Sequence, residues 1–252
     1  IEGCDNAHNE MSLNGVPVHN TAHLLGFFSV FNASHYAQMR FSPTALSAGN
    51  ANRLGGFVDL CSPDTISRRF AAEGSVGLIS SQATLRVPIG TKSELTLSGR
   101  SASINLLYHQ LLRMREMALK YGFYDANLTW TYCPDSNNTL RIDYYSGQDN
   151  GELNDMVSVY DGKLKWNNYL GALHWTRRMG RATLQQTAYL SAYGNEFSTS
   201  FQNIHLRLPS SITDWGYKAH FSLAPLNVHA AVVYHRLRLQ SPEVSGDRQY
   251  NS

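Results

Sequence analysis

From Ser75 onward apolar and polar residues alternate with a period of two, the pattern of strands whose two faces meet different surroundings. In SELTLSGR, Leu95 and Leu97 alternate with Glu94, Thr96, Ser98 and Arg100. In NLTWTY, Leu128, Trp130 and Tyr132 alternate with Asn127, Thr129 and Thr131; in LRIDYY, Leu140, Ile142 and Tyr144 alternate with Arg141, Asp143 and Tyr145. ATLQQTAYLSAY sets Ala182, Leu184, Ala188, Leu190 and Ala192 against Thr183, Gln185, Thr187, Tyr189 and Ser191. DWGYKAHFSL sets Trp215, Tyr217, Ala219, Phe221 and Leu223 against Asp214, Gly216, Lys218, His220 and Ser222. Weaker alternation over 75–87, 169–178 and 228–239 brings the prediction to about eight strands.

The connections are ordered too. PIGTK, CPDSNN, RRMGR and LAPLN are tight, and between them lie long links over 101–122, 147–167 and 198–211. A soluble sandwich has no reason to make every second link long, whereas a transmembrane β-barrel has short turns on one side and longer loops on the other. Its strands carry apolar residues toward lipid and polar ones toward the lumen, with aromatic girdles at the interfaces; Trp130, Tyr132, Tyr144, Trp175, Trp215 and Tyr217 suit those girdles. In the first long link, Leu106, Leu107, Leu111, Met114 and Met117 stand at helical spacing before Gly122, which predicts a short amphipathic helix in an outer loop.

Before Ser75 the texture changes to short strands rich in Asn, Gly, Ser and Ala. Asn14-Gly15 within EMSLNGVPV predicts a tight hairpin, and GNANRLGGFVDL leads through glycines into another short strand. This predicts a separate small unit that joins the strand array near 68–74.

The 252 residues carry 21 basic and 19 acidic side chains with no basic run, so a nucleic-acid surface is not expected. Cys4, Cys61 and Cys133 form no CxxC pair and read as isolated thiols. No apolar stretch approaches the roughly 20 residues of a membrane helix, which leaves a barrel as the membrane option. No Ser-His-Asp order, paired carboxylate site or phosphate loop is present, and GNANRLGG lacks the P-loop lysine, so neither an enzyme nor a cofactor is expected. His19, His23 and His35 have no rigid metal-ligand spacing, and no metal site is expected. IEGCDNAHNE has neither an initiator methionine nor a signal pattern, and SGDRQYNS ends without a closing element, which suggests a fragment.

In this order the two units resemble a TonB-dependent outer-membrane receptor of the Bacteroidetes type. SLNGVPVHNTAHLLGFFSVFNASHYAQMRF is similar to the plug segment in which a strand ending in an acidic-Gly-Val turn leads to an apical loop and a second strand, with Asn14 here in place of the acid. LSAGNANRLGGFVDLCS resembles the last plug element, and EGSVGLISSQATLRVPIGTKSELTLSGRSASINLL the first barrel hairpin; YGFYDANLTW and LRIDYYSGQDN resemble the next. Glu2, Gly3 and Cys4 depart from the family's basic residue and two glycines.

The resemblance implies an all-β, mainly antiparallel fold: a fragment of a plugged transmembrane β-barrel with a small α+β plug portion. It assigns 1–72 to the C-terminal part of the plug and 73–252 to the first barrel strands, incomplete beside the roughly 22 strands of a plugged barrel. It implies uptake of a scarce bulky nutrient (siderophore, vitamin, haem or glycan) across the outer membrane of a Gram-negative bacterium. The implied partners are a TonB-type energy-transducing protein whose contact region is not in this stretch, outer-membrane lipid, a small-molecule or oligosaccharide ligand and a surface lipoprotein. In such receptors the loop after the plug hairpin rises toward the outer mouth, which makes His23, Phe27, Phe28, Phe31 and Asn32 candidate ligand contacts. The alternative reading of the same phenylalanines is that they wedge the plug against the wall. A passive outer-membrane channel and a soluble β-rich binding module are the alternative functions, and a plain channel has no use for the small N-terminal unit.

Overall fold

The chain divides where its pattern changes. The computed structural model describes residues 8–23, 28–29, 31–43, 55–63, 65–103, 117–155, 160–201 and 204–246. The first part supplies six short strands: β1 (Glu10–Leu13), β2 (Val16–Pro17), β3 (Ala22–His23), β4 (Phe28–Ser29), β5 (Gln38–Ser42) and β6 (Phe57–Cys61). Four of them form a sheet in the order β2-β1-β6-β5, with β1 and β6 parallel, and β3 pairs with β4 in a separate two-stranded ribbon. The expected Asn-Gly hairpin joins β1 to β2, and Asn14 (φ 51) and Gly15 (φ 77) both take the positive φ that a tight hairpin turn requires.

The rest of the chain builds one antiparallel sheet: β7 (Ala71–Val76), β8 (Ser80–Ile89), β9 (Ser93–Ala102), β10 (Met117–Tyr132), β11 (Asn138–Asp155), β12 (Tyr160–Met179), β13 (Ala182–Phe201), β14 (Ile204–Leu223) and β15 (Leu226–Leu239), each beside the next. The tenth strand, β16 (Glu243–Gly246), continues along β14 beyond the end of β15. Leu239 faces Ser210 and Glu243 faces Arg207, so one side advances four residues while the other advances three. The extra residue is a bulge containing Pro242, where a proline costs no ladder hydrogen bond.

Three expectations need correction. The stretch 75–87 is not one strand but parts of two, because the chain turns over Gly77–Ile79 between β7 and β8; with β16, this makes ten strands among the described residues instead of about eight. The long links at 147–167 and 198–211 are not loops. There β11 pairs with β12 as far as Asp155 and Tyr160, and β13 with β14 as far as Phe201 and Ile204. Backbone pairing needs no apolar side chains, so the ladders continue after the lipid-type pattern has ended. The proposed helix is strand from Met117 onward, through Gly122; its other positions lie outside the described residues.

The side chains are arranged inside out relative to a soluble protein. On one face, polar Thr129 (5% exposed), Asp143 (5%), Ser191 (2%) and Asp214 (1%) are buried, while on the other Ile142, Leu173, Trp215 and Val232 stand free at 41, 47, 57 and 75%. Lipid solvates such an apolar outer face, whereas water would penalise it. Beyond Tyr169, Leu190 and Trp215 the outward positions turn polar: Asn167, Lys165 and Lys163 on β12, Glu196 and Ser198 on β13, Ser211 and Arg207 on β14. Inward residues there become apolar, as with Trp166, Leu164 and Phe197. This reversal marks the upper limit of the apolar band.

The small unit packs on the polar inner face. Leu13, Val16 and Val18 form a core cluster with Tyr145, Leu170, Ala172 and Tyr189 of the large sheet. Hydrogen bonds join the small unit to each of the seven successive strands β8 to β14, so the sheet wraps around it as a wall.

Candidate functional site

The junction between the small unit and the wall is polar, and its lower end is the β1–β2 turn. Asn14 Nδ2 donates to Asp143 Oδ2 at 2.8 Å and to Ser62 Oγ at 3.0 Å, while its Oδ1 accepts from Ser62 N at 2.7 Å. Gly15 N donates to Asp59 Oδ1 at 2.8 Å, and Lys218 Nζ reaches in from β14 to Gly15 O at 2.9 Å. Every polar group of the turn named here meets a partner, which a buried turn requires. Nearby, Asp214 stands between His19 Nε2 at 3.0 Å and His235 Nδ1 at 2.7 Å, tying the chain after β2 to β14 and β15.

A second group of contacts surrounds the segment 32–36. Thr129 Oγ1 donates to Asp143 Oδ1 at 2.6 Å and therefore accepts from His35 Nε2 at 3.0 Å; His35 Nδ1 is left to accept from Ser98 Oγ at 2.9 Å. This chain of donors describes a neutral imidazole. Burial pushes the His35 pKa down to about 4, with Arg86 adding to the effect and Asp143 opposing it. Tyr36 donates to Asn127 Oδ1 at 3.0 Å, and Arg86 donates to Ser34 O at 2.8 Å.

The β3–β4 ribbon is held differently. His23 Nδ1 lies 2.7 Å from Asp149 Oδ2, and Nε2 lies 2.9 and 3.0 Å from the two oxygens of Asp125. The imidazole stacks on Phe123 with ring centres 4.2 Å apart. Burial opposes a charge on His23, but its hydrogen bonds to Asp125 and Asp149 and the field of both carboxylates outweigh it and raise the pKa above the ordinary value. Arg100 donates from Nε and Nη2 to Asp125 Oδ2 at 2.9 and 2.6 Å, and from Nη2 to Ser29 O at 2.7 Å. Tyr145 donates to Asp125 and Tyr121 to Asp149.

Of the five candidate contacts, His23 is at the centre of this network and 1% exposed. Asn32 is buried as well, its Oδ1 accepting from Ser34 N and Oγ while Nδ2 has no partner among the described residues. Phe31 packs against the core cluster, Phe28 pairs with His23 through the backbone, and Phe27 lies outside the described residues. Arg100, Phe123, Asp125 and Asp149 were not singled out from the sequence; the available signal was their common inward parity on β9, β10 and β11. Among the described residues Cys61 and Cys133 form no disulfide, and Cys61 Sγ donates to Asp59 Oδ2 at 3.1 Å. Among the described residues no group of three or more His, Cys, Asp or Glu side chains could hold a metal, and no helix is long and apolar enough to cross a membrane, which says nothing of a barrel.

No protein-family model and no curated protein matches the chain. Among solved structures, the outer membrane transporter YddB from Escherichia coli superposes with a TM-score of 0.52 at 10% identity, over 93% of this chain and 46% of that one. BauA, the ferric preacinetobactin receptor from Acinetobacter baumannii, is also similar, with a TM-score of 0.48 at 10% identity over 94% of this chain and 52% of that one. The chain thus spans about half the length of these proteins. Together with the inside-out wall and the enclosed small unit, the YddB likeness gives the chain the all-β, mainly antiparallel fold of part of a plugged transmembrane β-barrel.

Proposed function

We propose that this chain belongs to an outer-membrane receptor for energised uptake of a bulky nutrient in a Gram-negative bacterium. Residues 1–72 supply part of the plug and 73–252 a run of barrel strands. The observation that carries the reading is the polar inner wall fitted around a separate small unit, with an apolar band outside. An open channel would gain nothing from an obstruction bound to seven successive strands. Moving such a plug requires work, and a TonB-type protein of the inner membrane is the proposed source.

The ribbon and the segment after it form the proposed ligand-side apex, with Phe27, Phe28 and Phe31 as apolar contacts and His23 and Asn32 fixing their position. A siderophore, vitamin, haem or glycan would each suit a bulky-nutrient receptor, and a surface lipoprotein could hand the ligand over. Deletion of the gene, followed by growth on single iron, vitamin or glycan sources with and without the restored full-length gene, tests the proposal. One source that supports growth only with the gene present is expected. Unchanged growth on all sources, together with unchanged binding of each to whole cells, would overturn it.

A further inference from the structure

The two limbs of the β3–β4 ribbon are fastened through one carboxylate of the wall. Asp125 on β10 meets His23 of β3 directly, and through Arg100 it holds the carbonyls of Ser29 and Phe31 on the returning limb, at 2.7 and 3.4 Å from the guanidinium. Asp149 on β11 meets the other nitrogen of the same imidazole. Each ring nitrogen of His23 therefore faces a carboxylate oxygen, and because Asp125 also accepts from Arg100 and Tyr145 and Asp149 from Tyr121, both carboxylates serve as acceptors and both contacts are hydrogen bonds when both nitrogens carry protons. A neutral imidazole would turn a lone pair toward one of the two.

Charge balance leads to the same protonation state. Asp125, Asp149 and His23 are 2, 1 and 1% exposed, and Arg100 supplies one positive charge. With His23 protonated, two carboxylates face two cations; without that proton a buried negative charge is left over, which a low-dielectric site tolerates poorly. Phe123 suits the charged form, its face stacked on the imidazole and its ring centre 5.3 Å from the Arg100 guanidinium carbon.

We infer that Arg100, Asp125, His23 and Asp149 form a latch that holds both limbs of the apical ribbon to the wall while His23 carries its second proton. Loss of that proton releases one of the two His23 contacts and loosens the β3 limb, while Arg100 keeps its hold on Ser29 and Phe31. The latch rests on these contacts and not on the proposed transport. The other titratable groups around it are Tyr121 on β10 and Tyr145 on β11, which donate to Asp149 and Asp125, with Tyr36 of the small unit and Tyr193 of β13 in the fields of the same carboxylates. Phenols ordinarily titrate near pH 10 and arginine does not titrate, so a transition below the phenol range belongs to the histidine. The sign follows from a folded-state pKa above the unfolded one: the fastening is complete at low pH and is lost as pH rises through the folded value.

The test uses the intact protein folded in lipid bilayers. Hydrogen exchange in residues 20–32, corrected for base catalysis, is followed from about pH 5 to about pH 10, alongside the imidazole nitrogen shifts of labelled His23. Protection should fall by up to about tenfold per pH unit, the limiting steepness of one proton, with the imidazolium signal disappearing over the same interval. His23→Gln should abolish the transition. Asp149→Asn, which keeps an acceptor but removes a charge, should move it lower by about one pH unit, with exchange in β13 and β14 unchanged. A neutral His23 at pH 7 in the folded protein, a transition that survives His23→Gln, or an Asp149→Asn midpoint equal to wild type would each overturn the latch.

Discussion

Asn14 donates from Nδ2 to Oδ2 of Asp143 at 2.8 Å, joining the tip of the β1–β2 turn to the middle of β11. The sequence resemblance would put an acid at this turn position, and here the wall supplies the acid instead. Aspartate in place of Asn14 would set two carboxylates against each other in a part-buried site. Asn14→Asp should loosen the small unit by about 1–3 kcal/mol, read as faster hydrogen exchange in β1 and β6. Asp143→Asn in the same chain should recover part of the loss, and no recovery would mean that the contact does not seat the turn.

His35 gives a pH prediction opposite in sign to that of His23. Its folded-state value of about 4 lies below the ordinary 6.5, so it stabilises the folded form fully above the ordinary value and progressively less as pH falls through about 4. Loss of about 3 kcal/mol is expected over that window. Urea unfolding of the bilayer-inserted protein at pH 7.5 and pH 4 measures it, and His35→Asn should flatten the dependence.

Leu190 and Ser198 both point outward from β13, one inside the apolar band and the other beyond it. Leu190→Arg should cost about 2–4 kcal/mol if the site lies near the bilayer midplane, and Ser198→Arg should cost about 0–1 kcal/mol. Folding yield into liposomes, read by heat-modifiable mobility, compares the two. Equal losses would contradict the assigned edge of the band.

Tyr189 lies across Gly216 on the neighbouring strand, where an added Cβ would collide with the tyrosine ring. The ring also lies 5.4 Å from Lys218 Nζ, the group that holds Gly15. Gly216→Ala should displace the tyrosine and destabilise by about 1–3 kcal/mol. Combined with Tyr189→Ala, the two losses should be clearly less than additive in a double-mutant cycle.

Parity was legible in the sequence. Leu128, Ile142, Leu173 and Trp215 face outward as the alternation implied, because in a barrel wall each side chain answers only to the face on which it stands. The Asn14-Gly15 turn was legible for a local reason, its required φ values. The turn at Gly77 was missed because Leu78 and Ile79 carry none of the usual turn chemistry. Extension of β12 past Tyr169 was missed because the alternation reverses phase there: in KLKW the apolar residues point inward. The site was least legible of all. His23 meets Asp125 and Asp149 across 102 and 126 residues, and no local pattern encodes partners brought together only when the wall wraps around the small unit.

Along β12, β13 and β14 the wall holds the small unit through single hydrogen bonds from side chains to backbone carbonyls, from Asn168 to Asn20, Ser191 to Pro17 and Lys218 to Gly15. Each such bond, once broken, can be replaced by one to water at nearly equal enthalpy, whereas separating oily surfaces would demand work in proportion to their area. A wet lumen would therefore act on this seam as a lubricant. The hydrogen-bonded part of the seam can thus keep register and still yield, while the apolar cluster of Leu13, Val16 and Val18 with Leu170 and Tyr189 is the part of the junction that resists separation.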